Sequence, residues 1–297
     1  MVKSKILVIL GPTATGKSDL AVKLAKKYSG EVISADSRQV YKGLDIGTGK
    51  TTKREMQGVK HHMLDVISPK KVFSVAEWKE QTEKKISDII SRGKLPIICG
   101  GTGLYIQSIV DNLVLPEVPP NFALRKKLEK KSVNELFAIL KKLDPRRAKT
   151  IEKENPARLM RAIEIAMVIG KVPVLKKKKG EYKFLQIGLF VPDAVLKKKI
   201  CMRLLFHLKK GMIKEAENLH KAGISWKRMR QFGLEYRYLA DHLEKKITKT
   251  ELEKRLETEI WHYAKRQITW FKRDKRIKWF DPKEISKIQK EVDKFID

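Results

Sequence analysis

Through its first hundred residues the chain alternates short apolar runs with amphipathic stretches. Positions 6–10 carry no polar residue and stop at Gly11, the pattern of a strand buried on both faces. Positions 18–28 follow a helical period, and 31–35 form a second apolar run. Positions 73–92 are helical again, and 95–99 form a third strand that runs into Gly100-Gly101. Alternation of this kind predicts an α/β fold with a parallel sheet flanked by helices. In such sheets ligands bind outside the carboxyl ends of the strands. All three predicted strands end there in small or polar residues.

The pattern changes near Pro116. Positions 115–120, with three prolines, read as a breaker-rich linker, and only helical patterns follow it. One opens at Ser132-Val133-Asn134-Glu135, a capping box ahead of Leu136, Phe137 and Leu140. Another spans 156–169 and stops at Gly170, and a basic run occupies 176–179. Positions 186–191 read as a strand returning to the first sheet, and long helical patterns cover 193–222 and 251–273. The expected organisation is therefore a core made of 1–116 and 181–297, interrupted by an all-helical insertion at 117–180.

Charge sharpens this picture. The chain has 66 Lys and Arg against 35 Asp and Glu, a formal net charge of +31, which favours polyanionic partners. The alternative source of that excess is a general preference for Lys at exposed positions, and the two can coexist. Cys99 and Cys201 stand far apart with no CxxC pair, so neither a zinc site nor a disulfide framework is expected. No apolar run approaches the roughly 18 residues of a membrane span, and a cytoplasmic protein with no membrane contact is expected.

The sharpest motif is Gly11-Pro12-Thr13-Ala14-Thr15-Gly16-Lys17-Ser18, which satisfies G-x-x-x-x-G-K-[ST] between a strand and a helix. Backbone N–H groups of such a loop cradle phosphate, the helix N-terminus adds positive potential, Lys17 neutralises oxygens and Ser18 offers its hydroxyl to Mg²⁺. The fold class is thus P-loop NTPase-like. The 95–99 strand ends without a carboxylate, whereas 31–35 ends at Asp36. That acid reads equally as a turn or cap residue and as a base facing the loop. Arg203, within the 193–222 pattern, reads on its own as a solvated helix charge. His61-His62 has no third ligand at metal spacing and reads as ordinary packing.

Further blocks carry a resemblance. Positions 34–48 (Ser-Ala-Asp-Ser-Arg-Gln-Val-Tyr-Lys-Gly-Leu-Asp-Ile-Gly-Thr), His61-His62-Met63-Leu64-Asp65 and Gly100-Gly101-Thr102-Gly103-Leu104-Tyr105 lie in the amino-terminal part of the chain. Arg158-Leu159-Met160-Arg161-Ala162-Ile163-Glu164 and Lys265-Arg266-Gln267-Ile268-Thr269-Trp270-Phe271-Lys272-Arg273 follow. Together, in this order from residue 11 to about 280, they resemble the tRNA dimethylallyltransferases of bacterial type.

The resemblance implies transfer of a dimethylallyl group from dimethylallyl diphosphate to N6 of the adenosine beside a tRNA anticodon. It implies that Gly11, Pro12, Thr13, Ala14, Thr15, Gly16, Lys17 and Ser18 hold the diphosphate, with Mg²⁺ as cofactor. Asp36, Thr102, Lys17 and Arg203 are then the catalytic group. Asp36, Ser37, Arg38, Gln39 and Thr102 meet the target nucleotide. Ala157, Arg158, Leu159, Met160 and Arg161 of the insertion, with Lys265, Arg266, Gln267 and Arg273, grip the anticodon stem-loop, and the enzyme is a monomer. Three departures stand out: Ala157 offers no polar RNA contact, Gly233-Leu234-Glu235-Tyr236 replaces a Gly-Tyr pattern, and Phe206-His207 replaces an apolar pair. The chain also ends without the zinc-finger extension of eukaryotic relatives. The rival readings are a P-loop small-molecule kinase and an adenylate prenyltransferase acting on free nucleotide. The first leaves the basic insertion unexplained, and the second leaves the net charge unexplained.

Overall fold

A computed structural model describes residues 4–177 and 180–297, so Lys178 and Lys179 of the basic run lie outside the described residues. Six parallel strands form one sheet: β1 (Ser4–Leu10), β2 (Gly30–Ser34), β3 (His61–His62), β4 (Leu95–Gly100), β5 (Tyr182–Leu189) and β6 (Lys278–Phe280). Their spatial order is β3-β2-β4-β1-β5-β6. The motif-bearing β1 is therefore internal, hydrogen-bonded to β4 on one side and to β5 on the other.

Side chains of β1 alternate between two apolar layers. Ile6, Val8 and Leu10 pack into a layer with Ile33, Trp78, Ile98 and Tyr105. Leu7 and Ile9 face the other way, against Leu20 and Leu24 of the Lys17–Lys27 helix and Ile288 and Val292 of the Ile285–Ile296 helix. A strand flanked on both faces has no polar alternate, which is why β1 reads as a continuous apolar run. Trp78 donates its indole N–H to the Ser34 carbonyl at 3.2 Å and stacks on Tyr105, so the Val75–Ser91 helix is pinned to the end of β2.

Several elements differ from expectation. β5 begins at Tyr182, ahead of the expected 186, because its early residues pair with β1 from Ser4 onward. The pattern at 193–222 is two helices, Asp193–Lys209 and Met212–Lys221, since Gly211 adopts φ 102° and ends the first. β3, β6 and the Ile285–Ile296 helix were not anticipated.

The chain divides into two compact units, Met1–Asn112 with Lys179–Asp297, and Leu113–Lys178. The second starts before the proline-rich linker, and Val118 of that linker belongs to its core beside Leu136, Leu140, Leu159 and Ile163. Its two ends meet at Leu113 and Lys177 in an antiparallel bridge. The Ser132–Glu135 capping box is present, with Ser132 accepting from the Glu135 amide. Glu164 is 1% exposed at the centre of this unit, held by a bidentate Arg125, the Asn121 amide and Arg161.

Candidate active site

The site forms where β1, β2 and β4 end. Beyond β1 the chain turns back on itself through Gly11 (φ 141°), Ala14 (φ 63°) and Gly16 (φ 88°) before entering the Lys17–Lys27 helix. Thr15 Oγ1 and Lys17 Nζ both donate to the Pro12 carbonyl, at 2.9 and 2.6 Å. Gly11 admits the carbonyl of Leu189 at the end of β5 against its Cα, a place no side chain could occupy. The result is a preformed cradle of N–H groups at a helix N-terminus.

Arg203, from the Asp193–Lys209 helix, reaches this cradle. Its Nη1 donates to Thr13 Oγ1 at 3.3 Å and its Nη2 to the Gly49 carbonyl at 3.3 Å. The reading of Arg203 as a solvated helix charge is thereby replaced. Burial pulls the Lys17 ammonium down to about 8; the nearby Cys99 acts against that, Arg203 adds to it and Asp36 opposes it. Burial pushes the Cys99 thiol up to about 12, which keeps it protonated and non-nucleophilic.

Asp36 follows β2. Its Oδ1 accepts from the Arg38 amide at 2.8 Å and the Gln39 amide at 3.4 Å, so the turn-residue reading is realised. Both bonds fall on one oxygen, and the acid still acts on Lys17 across the cleft. Thr102, after β4, accepts from the Ser37 amide at 3.1 Å, and its own amide donates to the Ala35 carbonyl at 3.1 Å. The β2 and β4 ends are therefore one hydrogen-bonded assembly. The Asp36 carboxylate is within electrostatic reach of Lys17 in the cradle, and the Thr102 hydroxyl is tied to the same turn.

A cavity of about 450 Å³ opens beside the cradle, lined by Lys17, Ser18, Asp45, Arg203, Phe206 and His207 among others. Burial pulls the His207 imidazole down to about 4, with Arg203 and Lys210 acting the same way and Glu55 against them. His207 is thus neutral at pH 7. Phe206 stands 60% exposed at the rim. Among the described residues no cluster of three or more His, Cys, Asp or Glu side chains could hold a metal. Ser18 sits exposed in the first helical turn, a single hard oxygen donor beside the phosphate cradle.

Some residues expected to meet RNA face inward instead. Gln267 is 6% exposed, accepts from the Thr13 amide and donates to the Gly101 carbonyl. Leu159 is fully buried in the core of the insertion. Arg161 is committed to Glu164 and to the Val118 carbonyl. Gln39 spends its amide on Ser34, Thr48 and Gly49. Arg38 binds the Gln231 carbonyl, and Met160 packs against the insertion's core. Left outward are Ala157, Arg158, Lys265, Arg266 and Arg273, with Arg158 paired to Glu152 and Lys265 to Asp193.

Three residues matter that sequence reasoning did not single out for the site. Glu215 accepts from the amides of Asp45, Ile46 and Gly47 and from the Tyr236 hydroxyl, clamping the loop whose Gly49 carbonyl holds Arg203. Glu235, one of the departures, has its carboxyl raised by burial to about 7, with Asp36 pushing further upward. Tyr263 is raised by burial, Asp36 and Glu235. No local pattern announces these contacts, since each partner comes from a distant part of the chain.

Comparison with known proteins agrees with this geometry. A family profile described as IPP transferase matches residues 39–274. A tRNA dimethylallyltransferase 2 of Treponema denticola is 44% identical, covering 91% of this chain and 92% of that one. A tRNA dimethylallyltransferase of Anoxybacillus flavithermus is 38% identical over 98% and 95% of the respective chains. A full-length tRNA isopentenylpyrophosphate transferase structure from Bacillus halodurans superimposes with a TM-score of 0.75 at 36% identity, covering 99% of this chain and 97% of that one. A eukaryotic dimethylallyltransferase described as acting on tRNA gives 0.72 at 26% identity, over 90% and 70%.

Proposed function

The chain belongs to the IPP transferase family, and from that premise we propose that it moves a dimethylallyl group from dimethylallyl diphosphate to N6 of an adenosine in tRNA. The target is the adenosine on the 3′ side of the anticodon, presented by the anticodon stem-loop. One observation carries the reading: a cationic phosphate cradle with Lys17 and Arg203 at the end of β1 lies within electrostatic reach of the Asp36 carboxylate at the end of β2, with only β4 between the two strands.

In the reaction the bond from the allylic carbon to the diphosphate oxygen breaks, and a bond from that carbon to N6 forms. The electron pair leaves with the diphosphate. Loop amides other than that of Thr13, which Gln267 takes, face the charge that grows there together with Lys17 and Arg203, and such preorganised donors act most strongly on the transition state. The N6 proton passes to Asp36, whose Oδ1 is already held by its own turn. Thr102 fixes that turn through Ser37. The cavity beside the cradle, about 450 Å³, accommodates a small diphosphate ester.

Mg²⁺ fits the donor set. Ser18 would hold it through its hydroxyl, the rest of the shell coming from diphosphate and water, as suits a hard cation. When bound it would offset leaving-group charge. The tRNA is engaged by exposed cations, Arg158, Arg266 and Arg273, through its phosphates. We place the enzyme in the cytoplasm as a monomer; among the described residues no helix is long and apolar enough to cross a membrane.

A kinase reading has less support, because β4 ends in Cys99-Gly100-Gly101-Thr102, with no carboxylate at the end of that strand. The test is an assay with labelled dimethylallyl diphosphate and tRNA, AMP or no acceptor. Label in tRNA alone is expected. Label in AMP alone, or ATP turnover without prenyl transfer, overturns the proposal.

A further inference from the structure

We infer that Gln267 is a positioning residue that sets the spacing between the diphosphate cradle and the Asp36 turn; this rests on the prenyl-transfer reading. Gln267 lies on the Lys249–Phe271 helix and is 6% exposed. Its Oε1 accepts from the Thr13 amide at 2.9 Å and its Nε2 donates to the Gly101 carbonyl at 2.8 Å. A donor on one side and an acceptor on the other fix the amide orientation uniquely.

Each anchor leads to a reacting group. Thr13 belongs to the cradle, and its hydroxyl receives Arg203. Gly101 precedes Thr102, whose hydroxyl receives the Ser37 amide next to Asp36. A rigid path therefore runs from cradle to base through one side-chain amide. The ladder between β1 and β4 runs up to Leu10 and Gly100 and stops there. Gln267 rejoins them just past the point where the ladder stops.

The seat is shaped for this amide. A Cβ on Gly101 would collide with Gln267 Nε2, and one on Gly103 would collide with Trp270 of the same helix. The loop 100–103 thus lies flush on the helix because its glycines permit it. A misplacement of about 1 Å between reacting groups costs on the order of a hundredfold in rate. A spacer at this position acts on turnover while leaving each substrate's own contacts in place.

The experiment compares wild type, Gln267→Glu and Gly101→Ala. Gln267→Glu keeps an acceptor for Thr13 but turns a carboxylate on the Gly101 carbonyl. Gly101→Ala displaces the Gln267 amide from the opposite side without altering the helix sequence. Single-turnover transfer is measured at saturating tRNA and dimethylallyl diphosphate, below each variant's melting temperature. Affinity for tRNA and for inorganic pyrophosphate is measured separately. Both variants are expected to lose roughly ten- to a hundredfold in single-turnover rate, with both affinities within about threefold of wild type. A folded variant with a wild-type rate overturns the inference, as does weakened tRNA binding at an unchanged rate, which would make Gln267 an RNA contact. Absence of transfer by the wild type would instead strike the underlying reading.

Discussion

Two arginine-bearing segments, one in each unit, put similar residues to different use. In the catalytic unit Arg203 leaves its helix to meet a threonine hydroxyl and a loop carbonyl at the rim of a cavity, so its charge faces a space where a ligand would sit. In the insertion, Arg125 and Arg161 close on Glu164, a carboxylate 1% exposed, and Arg161 also caps the Val118 carbonyl. All three arginines lie on helices: Arg203 on Asp193–Lys209, Arg125 on Phe122–Leu128 and Arg161 on Pro156–Ile169. The first segment turns its charge towards the cradle, where the proposed reaction needs it, while the second uses charge to hold a small unit together around a buried acid. A motif block thus mixes residues that touch substrate with residues that build the platform, and only burial and partners separate them.

The contrast can be broken most severely at the cradle. Lys17→Ala should lower prenyl transfer about a thousandfold, with tRNA affinity and melting temperature near wild type; retention of most activity would remove Lys17 from the leaving-group site. Glu164→Ala should act oppositely, lowering the stability of the insertion by about 3 kcal/mol while pyrophosphate affinity of the other unit stays constant. Calorimetry of the two variants side by side checks both, and an unchanged melting profile for Glu164→Ala would dissolve the distinction.

Acidity offers a finer probe. Lys17 carries its proton below about 8 and loses it above, since burial has lowered it from the ordinary lysine range. Diphosphate affinity should therefore weaken by up to about tenfold per unit once pH exceeds that value. Binding of tRNA, which does not run through Lys17, should remain flat over the same window. Isothermal titrations across that range decide, and parallel curves would contradict the assignment. The smallest effect is expected from Arg273→Ala, which should reduce the slope of log affinity for tRNA against log salt by about one without changing single-turnover rate.

What could be read from the sequence followed physical range. The cradle was legible because strand, glycine turn and helix are contiguous and each has its own local signature. The capping box at Ser132 was legible for the same reason. Gln267 was misread as an RNA contact although the helical period was informative: Ala264, Gln267, Ile268 and Phe271 fall at i, i+3, i+4 and i+7, and all are buried. The break at Gly211 was signalled by a lone glycine inside an apolar period. The clamp of Glu215 on the 45–47 amides was not legible, since nothing local distinguishes a carboxylate that meets a distant loop from one that meets water. β6 is three residues long and earns its place by pairing with β5, so its sequence alone carries little signal.

The strand order has a consequence for how the molecule is made. β1 leaves the ribosome first, yet one of its two neighbours is β5, which follows the entire insertion, and one of its covering helices is Ile285–Ile296. Until those segments emerge, an apolar strand waits with an open edge and one face only partly covered. Such late, long-range closure slows completion of the sheet and leaves an apolar edge exposed to aggregation during synthesis.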